Sequence, residues 1–492
     1  VSYGASVFGK AGNFDGLFSY SRNDEKDYEP GKGYTHSNGG KTVPFSALDK
    51  RSYLAKIGAN FGDHRLVLSH MNDQHRGIRT VREEFTATDN PRLTLERQAP
   101  TYRETSLSNT NLAWTANNLG FVEKLDANAY LMKNERYSAD DSKNGYAGNL
   151  PGPNTTVIET KGVNFNLDSR IGEKTLIKYG VNYRHQEIKP PVFFSSALSN
   201  PKKSDAGIYA EAIHDIGDFT LTGGLRYDHF DIKTHDGKSV SDGTINPSFG
   251  VIWQPHEYWS FSASHNYASR SPRLYDALRQ HGRRNAITSI ADGTKAERAR
   301  NTEIGFNYNN GSFAANGSYF WQKVKDAHAI KANTIINAAL LRNQGYELGG
   351  AYKQGGFKFR VGVAESKPET FTFNGASLDN AVFAVATGRT WTTAVSYKFE
   401  NPSLELGWKG RFVEGETGTP SRGSNAGSAA IKQSGYGVSD FYANWEANKN
   451  LMLNFAVNNA FNKNYKSHSQ RAGGNSLAGA GRDFRMNATY TF

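Results

Sequence analysis

The sequence predicts an all-β chain, a large antiparallel transmembrane β-barrel, and three observations carry that expectation. Apolar and polar residues alternate with period two along most of the chain. Many alternating segments run to roughly 10 residues, the length a tilted strand needs to cross a bilayer. The connections between them come in two sizes, taken in turn: tight turns, then long polar stretches.

Each strand shows one greasy and one wet face. In FTLTGGLRY, Phe219, Leu221, Leu225 and Tyr227 alternate with Thr220, Thr222, Gly224 and Arg226. In TWTTAVSYKF, Trp391, Val395, Tyr397 and Phe399 alternate with Thr392, Ser396 and Lys398, and SLELGWKGRF sets Leu404, Leu406, Trp408 and Phe412 against Glu405, Lys409 and Arg411. The chain ends in RDFRMNATYTF, whose Phe484, Met486, Tyr490 and Phe492 fall on one side, with Arg485, Asn487 and the threonines on the other. A strand ending on an aromatic ring is expected to lie at the membrane boundary. Tyr490 and Phe492 are its terminal assembly signal, and the strand is expected to close the cylinder by pairing with the first.

The short connections are Gly62-Asp63, Gly172-Glu173, Gly217-Asp218, Asn310-Gly311 and Asn401-Pro402; KDYEPGKGYTHSNGGKTVPFSALDK and the run from Ser271 to Ala299 are long ones. Outer-membrane barrels have short periplasmic turns and long external loops. The first connection, at Ala11-Gly12-Asn13, is short and the last, Lys466 to Gly481, is long. Both terminal strands therefore run downward, and their number is odd, about 21. Bacterial single-chain barrels are normally even, so one upward strand is expected before Val1. Residues 1–492 read as one transmembrane β-barrel domain. About 16–18 strands leave an aqueous channel and about 22 a lumen that transporters plug. The size therefore points to a gated importer, with a large passive porin as the runner-up.

Composition agrees. Twenty-five Tyr and 29 Phe in a chain of mean hydropathy −0.64 exclude ordinary disorder, and the 50 Gly suit many turns. With no Cys there is no disulfide, thiolate metal site or Cys nucleophile. The formal charge of +11 asks for an anionic partner: nucleic acid, lipopolysaccharide or an acidic small ligand.

Four strings, DHRLVLSHMNDQHRGIRTVREEF (63–85), SASHNYASRSPRLYDALRQHG (262–282), ADGTKAERARNTEIGFNYN (291–309) and the tail from Asn458, make the chain resemble the TonB-dependent outer-membrane receptors, most closely their neisserial ferric-siderophore members. The resemblance implies a 22-stranded barrel in the Gram-negative outer membrane, with an N-terminal plug. It implies import of an enterobactin-like catecholate chelate, the ferric iron being cargo and no cofactor covalently held, with energy passed from TonB–ExbB–ExbD. A haem or other metal-chelate receptor has the same architecture. The plug and first strand of that family have no counterpart here, and loops near Pro191 and after Thr419 differ from its pattern. Outer-membrane lipids, lipopolysaccharide included, are the expected surroundings, and nucleic acid drops out as a partner.

Candidate ligand-binding residues follow from the chemistry of such a chelate, which is strongly anionic and rimmed with aromatic rings. Guanidinium groups offer it charge and stacking. The external stretch after Ser269 holds Arg270, Arg273, Tyr275, Arg279, His281, Arg283 and Arg284, and Arg76 and Arg79 belong to a second basic set. Tyr183, His185, His468 and Arg471 stand at loop bases, where tyrosinate and imidazole are reasonable partners for iron, although no spacing defines a metal site. The same residues also suit lipopolysaccharide phosphates, Arg–Glu pairs or an interfacial aromatic girdle.

No enzyme is expected. GGKT at 39–42 has Thr35 where a phosphate-binding loop needs Gly, and DDSKNG at 140–145 has Pro151 in place of the bidentate Glu of a calcium loop. Neither H-E-x-x-H nor G-x-S-x-G occurs.

Overall fold

The computed structural model describes residues 1–35, 39–78, 102–139, 153–189, 199–274, 280–281, 286–287, 289–378, 387–418, 431–468 and 477–492. Among the described residues there are 26 strands. The first eight are β1 (Ser2–Ala11), β2 (Phe14–Glu25), β3 (Leu48–Phe61), β4 (His64–Ile78), β5 (Arg103–Leu119), β6 (Val122–Ser138), β7 (Asn154–Ile171) and β8 (Thr175–Lys189). There follow β9 (Lys202–Ile216), β10 (Phe219–Lys233), β11 (Ser239–His256), β12 (Trp259–Arg270) and the two-residue β13 (Gln280–His281), β14 (Ala286–Ile287) and β15 (Ser289–Ile290). The next set is β16 (Glu297–Asn309), β17 (Phe313–Lys331), β18 (Thr334–Gln354), β19 (Phe357–Thr372), β20 (Thr390–Phe399), β21 (Leu404–Val413), β22 (Glu416–Gly418) and β23 (Ile431–Gln433). The last are β24 (Tyr436–Glu446), β25 (Leu451–Asn458) and β26 (Asp483–Tyr490).

Setting aside β13, β14, β15, β22 and β23, the other 21 strands form one antiparallel wall in which each pairs with the next in sequence. The 22nd member of that sheet is β15, which lies parallel to the start of β18. The small hairpins β13–β14 and β22–β23 sit apart from it. The expected strand number is therefore met by the wall itself.

Short connections recur at one end. Gly12, Gly62, Gly120, Gly172, Gly217, Gly311 and Gly355 all take positive φ there, the left-handed conformation that lets the chain reverse within a few residues. The other end departs from the expected pattern in two places. Residues 234–238 join β10 to β11, and Ala332-Asn333 joins β17 to β18, so both external connections are tight. Their length has gone into the strands instead: β17 and β18 run to 19 and 21 residues and stand above the membrane as a hairpin.

The outer wall is apolar over a band of definite height. On β17, Phe313, Ala315, Gly317, Tyr319 and Trp321 face outward, a span within the roughly 9–11 residues that a tilted strand needs, and Lys323 begins the polar zone above. The exposed rings and branched chains of this band, such as Leu225, Ile245, Phe249, Leu348 and Phe455, meet lipid in place of water. Most of the buried core lies above the band, apart from a small cluster of Ala116, Leu125 and Ala127 near the short-turn end. Phe230, Ile232, Val240, Ile290, Ala296 and Ile335 pack where the β10–β11 and β17–β18 hairpins meet β15, and Ala327, Ala329, Ala338 and Ala339 form a second cluster there.

The expected pairing of the last strand with the first is not made. β1 bonds only to β2, and β26 only to β25. Both run downward, so the antiparallel ladder used everywhere else in the wall cannot join them. Contact across this seam comes at its external end. Pro30 bridges Ala480, Gly481 N donates to Glu29 O at 2.8 Å, and Lys32 N donates to Asn462 O at 2.9 Å. Tyr28 Oη adds a bond to Ala478 O at 2.7 Å. The outward Phe484, Met486, Tyr490 and Phe492 are all exposed, with the rings of Tyr490 and Phe492 in edge contact at 4.9 Å.

Candidate functional site

Alternation decides which charged groups face the lumen. In β10 the exposed Leu221, Leu225 and Tyr227 face out, so Arg226, Asp228 and Phe230 face in. Register then turns Asp205 and Lys203 of β9 and Arg184 of β8 inward as well. Here, near the external mouth, the charges form one network. Arg184 pairs with Asp205 at 2.9 Å, Lys203 with the same carboxylate at 3.5 Å, and Ser271 Oγ donates to its other oxygen at 2.7 Å. Arg226 pairs with Asp228 at 2.8 Å, and Asn246 Nδ2 donates to Asp228 at 3.0 Å.

Arg270 ends β12 on the same inner wall. Its Nε and Nη2 donate to Glu297 at 2.8 and 2.7 Å, and Glu297 also accepts the His328 backbone N–H at 2.9 Å. Glu297 is buried, with 8% of its side chain exposed, while Arg270 keeps 55%. A cavity of about 340 Å³ lies on this wall, lined by Arg184, Asp205, Asp228, Asp242, Arg270 and Ser271. Arg298 pairs with Asp242 at 3.3 Å behind it. Carboxylates thus match nearly every cation of this cavity, and the surplus of positive charge is small.

Lys203 is the exception in behaviour. It lies three residues outside Ala206, which is in register with the girdle residue Tyr183, and so stands above the membrane band. Burial pushes its ammonium down to about 8; Asp205 pulls the other way, and Arg184 adds to the depression.

A second lumen cavity, about 560 Å³, lies between β19 and β26. Its wall includes Arg360, Lys409, Arg411, Asp440, Tyr465 and Arg485. Lys409 sits over the Tyr442 ring at 5.3 Å and Arg411 over the Tyr436 ring at 5.7 Å, so charge and aromatic surface are presented together. Sequence reading did not select Arg360, Lys409 or Arg411 for this role. Their signal was parity, since Lys409 and Arg411 share the wet face of a strand whose Leu406 and Phe412 are lipid-exposed.

Of the residues chosen from sequence, Arg270 lies on the inner wall, and Arg273, three residues beyond β12, is already engaged in contacts. Four choices need correction. Tyr183 and His185 face outward, because they share parity with the exposed Val181; both bond Ser204 Oγ on the outer surface, at 3.3 and 2.9 Å. Arg76 is on the outer face too, opposite Asp49 in register and bonded to Gln74 at 3.3 Å. His468 is 2% exposed; its Nδ1 lies 3.0 Å from Thr387 O and its Nε2 2.7 Å from Ser434 O, so it ties external loops together and presents nothing to a ligand. Arg79, Tyr275, Arg279, Arg283, Arg284 and Arg471, and the His281 side chain, lie outside the described residues.

One further group, Tyr465 on the wall of the second cavity, suits iron by type. Tyr465 stacks on Tyr436 at 4.8 Å, and burial raises its phenol, which disfavours the tyrosinate an iron site would use. Among the described residues no three His, Asp or Glu side chains gather as metal ligands.

Residues 9–460 match the family model for the "TonB dependent receptor-like, beta-barrel". Among solved structures, the FrpB iron transporter from Neisseria meningitidis (F3-3 variant) is 61% identical with a TM-score of 0.93, over all of this chain and 79% of that one. Among curated proteins, heme/hemopexin utilization protein C of Haemophilus influenzae (strain 86-028NP) is 23% identical over 68% of this chain, and heme transporter BhuA of Brucella ovis is 21% identical over all of this chain. The chain spans 51% of the Haemophilus protein, about half its length, and 74% of the Brucella one.

Proposed function

Since this chain belongs to the TonB-dependent receptor-like β-barrels of the Gram-negative outer membrane, we propose that it forms the membrane wall of a receptor that imports an anionic ferric chelate of the catecholate siderophore type. The observation that carries this reading is the inner wall between β19 and β26, where Lys409 and Arg411 stand on aromatic rings and Arg360 joins them around one cavity. A ferric catecholate offers that wall negative charge and flat π surface at once. Arg270 contributes from the external end of β12. Its guanidinium is half-exposed while Glu297 holds it in a fixed direction. Energy for release into the periplasm comes from TonB. The 61% identity to an iron transporter supports the iron cargo.

Haem is the second reading, favoured by the names of the Haemophilus and Brucella relatives. Haem carries only two carboxylates and usually asks for an axial His. His468, the external histidine at the β19–β26 side, is buried against carbonyl oxygens. The test is competition between ferric enterobactin and haemin for the full-length protein. Saturable capture of ferric enterobactin that haemin does not displace is expected; haemin displacing it, or no saturable siderophore capture, overturns the proposal.

A further inference from the structure

The outer surface carries a second basic site, on the lipid side of the wall and separate from the lumen. Arg300 of β16, Lys323 of β17 and Arg342 of β18 lie directly opposite one another in register. Neighbouring strands are about 4.8 Å apart. Lys325 stands two residues further up β17 on the same face. The face is the outer one, because Lys323 shares parity with the exposed Trp321, Arg342 with Leu348, and Arg300 with Ile304. Their height is the first polar layer above the lipid band. Trp321 is one outward position below Lys323, Thr302 one below Arg300, and Tyr346 two below Arg342.

What sets this sector apart is the lack of compensating acid. Several cations elsewhere on the outer rim are matched: Lys133 pairs with Glu135 at 2.7 Å, Lys189 with Glu159 at 2.9 Å, and Arg22 and Arg51 both reach Asp49, at 3.5 and 3.2 Å. Among the described residues no carboxylate pairs with Arg300, Lys323, Lys325 or Arg342. The nearest acids in sequence and register are Asp326, beside Lys325, and Glu369, opposite Arg342. Two of the guanidinium groups lie on rings instead, Arg300 over Tyr267 at 5.2 Å and Arg342 over Phe371 at 5.5 Å. The Lys325 charge first, then desolvation, with Arg342 and Arg300 adding their repulsion, hold the Lys323 ammonium below its ordinary value.

Four cations held together, with no carboxylate in ion-pair contact among the described residues, on an aromatic shelf at the depth of the lipid headgroups, make a receptor for phosphate. We propose that the Arg300–Lys323–Lys325–Arg342 cluster docks a phosphorylated saccharolipid of the outer leaflet, taking a lipid A phosphate between Arg300, Lys323 and Arg342 while the acyl chains lie on the apolar band beneath. A headgroup is favoured over a free anion by position, because a ligand seated here also covers Trp321 and the band below it. Each basic residue near an anionic membrane surface contributes several-fold to affinity.

The test uses the full-length protein in detergent micelles, with retained lipid counted by native mass spectrometry. Bisphosphorylated lipid A is expected to stay bound, monophosphoryl lipid A less so, and phosphatidylcholine not at all. Arg300→Gln, Lys323→Gln and Arg342→Gln combined should weaken lipid A retention by about ten-fold or more. The same change in the paired cations Lys133 and Lys189 should leave retention unaltered. Electrophoretic mobility before and after heating checks that the variants are folded. Equal retention by the triple variant and the wild type overturns the proposal. So does full displacement of lipid A by millimolar inorganic phosphate, which would make this a free-anion site.

Discussion

Removing either partner of the Arg270–Glu297 pair breaks the same two hydrogen bonds, yet the two removals should cost different amounts. Glu297 is 8% exposed and Arg270 55%. Arg270→Ala leaves a buried carboxylate whose remaining partners are the His328 backbone N–H at 2.9 Å and its imidazole at 3.4 Å. Losing one partner of a buried pair typically costs 3–5 kcal/mol, and with His328 still in place the low end, about 3 kcal/mol, applies. Glu297→Gln leaves a guanidinium that can turn into water, and the new amide oxygen still accepts from His328, so the cost is about 1 kcal/mol. Arg270→Ala with Glu297→Gln removes both charges and should cost less than the two single changes together, by about 2 kcal/mol. Urea unfolding of the full-length protein in lipid vesicles, followed by tryptophan emission, measures all three. If Glu297→Gln proves as costly as Arg270→Ala, burial is not what sets the asymmetry and the reasoning fails. Function should diverge as well: Glu297→Gln keeps or improves capture of an anionic chelate at low salt, whereas Arg270→Ala weakens it.

Four further outcomes are expected. Lys203 has a folded-state value of about 8, below the ordinary 10.5; folding therefore becomes more favourable as pH rises from about 8 towards 10.5, where only the unfolded chain still holds that proton, while the mouth loses a positive charge across pH 8. Capture of an anionic chelate should fall between pH 7 and 9, and Lys203→Met should flatten that profile; an unchanged profile removes Lys203 from the site. Lys409→Ala with Arg411→Ala should weaken chelate capture by about ten-fold at low salt and much less at 0.5 M salt, with unchanged heat-modified mobility; equal loss at both salt levels speaks against an electrostatic role. Tyr183→Phe with His185→Gln, both on the outer face, should leave capture unaltered, and a loss there would mean that ligand reaches the wall from outside. Gly31→Ala drives a Cβ into the Lys463 carbonyl at the external end of the seam; overpacking of that kind costs about 1–3 kcal/mol, and an undiminished urea midpoint would show that the seam yields.

Strand positions, tight turns, the odd count and the downward direction of both ends were legible because each rests on a local signal: period two, a left-handed Gly, a long or short gap. TWTTAVSYKF is β20 from its first residue to its last. Facing was legible too: alternation alone puts Tyr183, His185 and Arg76 on the outer face. Tyr183 shares parity with Val181 and lies in register with Ala206, on the side of Ile208; its outward direction was written in the alternation, while loop-base position alone suggested a ligand. What the sequence could not supply is pairing between strands distant along the chain. Nothing local says that Arg270 meets Glu297 or that Lys203 is buried beside Asp205. The unpaired outer cluster shows the same limit from the other side. Arg300, Lys323 and Arg342 are separated by 23 and 19 residues, and only register sets them in one row. In a barrel a residue's face follows from its own strand, but its charge environment is decided by three strands at once. Alternation therefore identifies which basic residues can reach lipid or lumen, and only the register separates a neutralised Lys133 from an uncompensated Lys323.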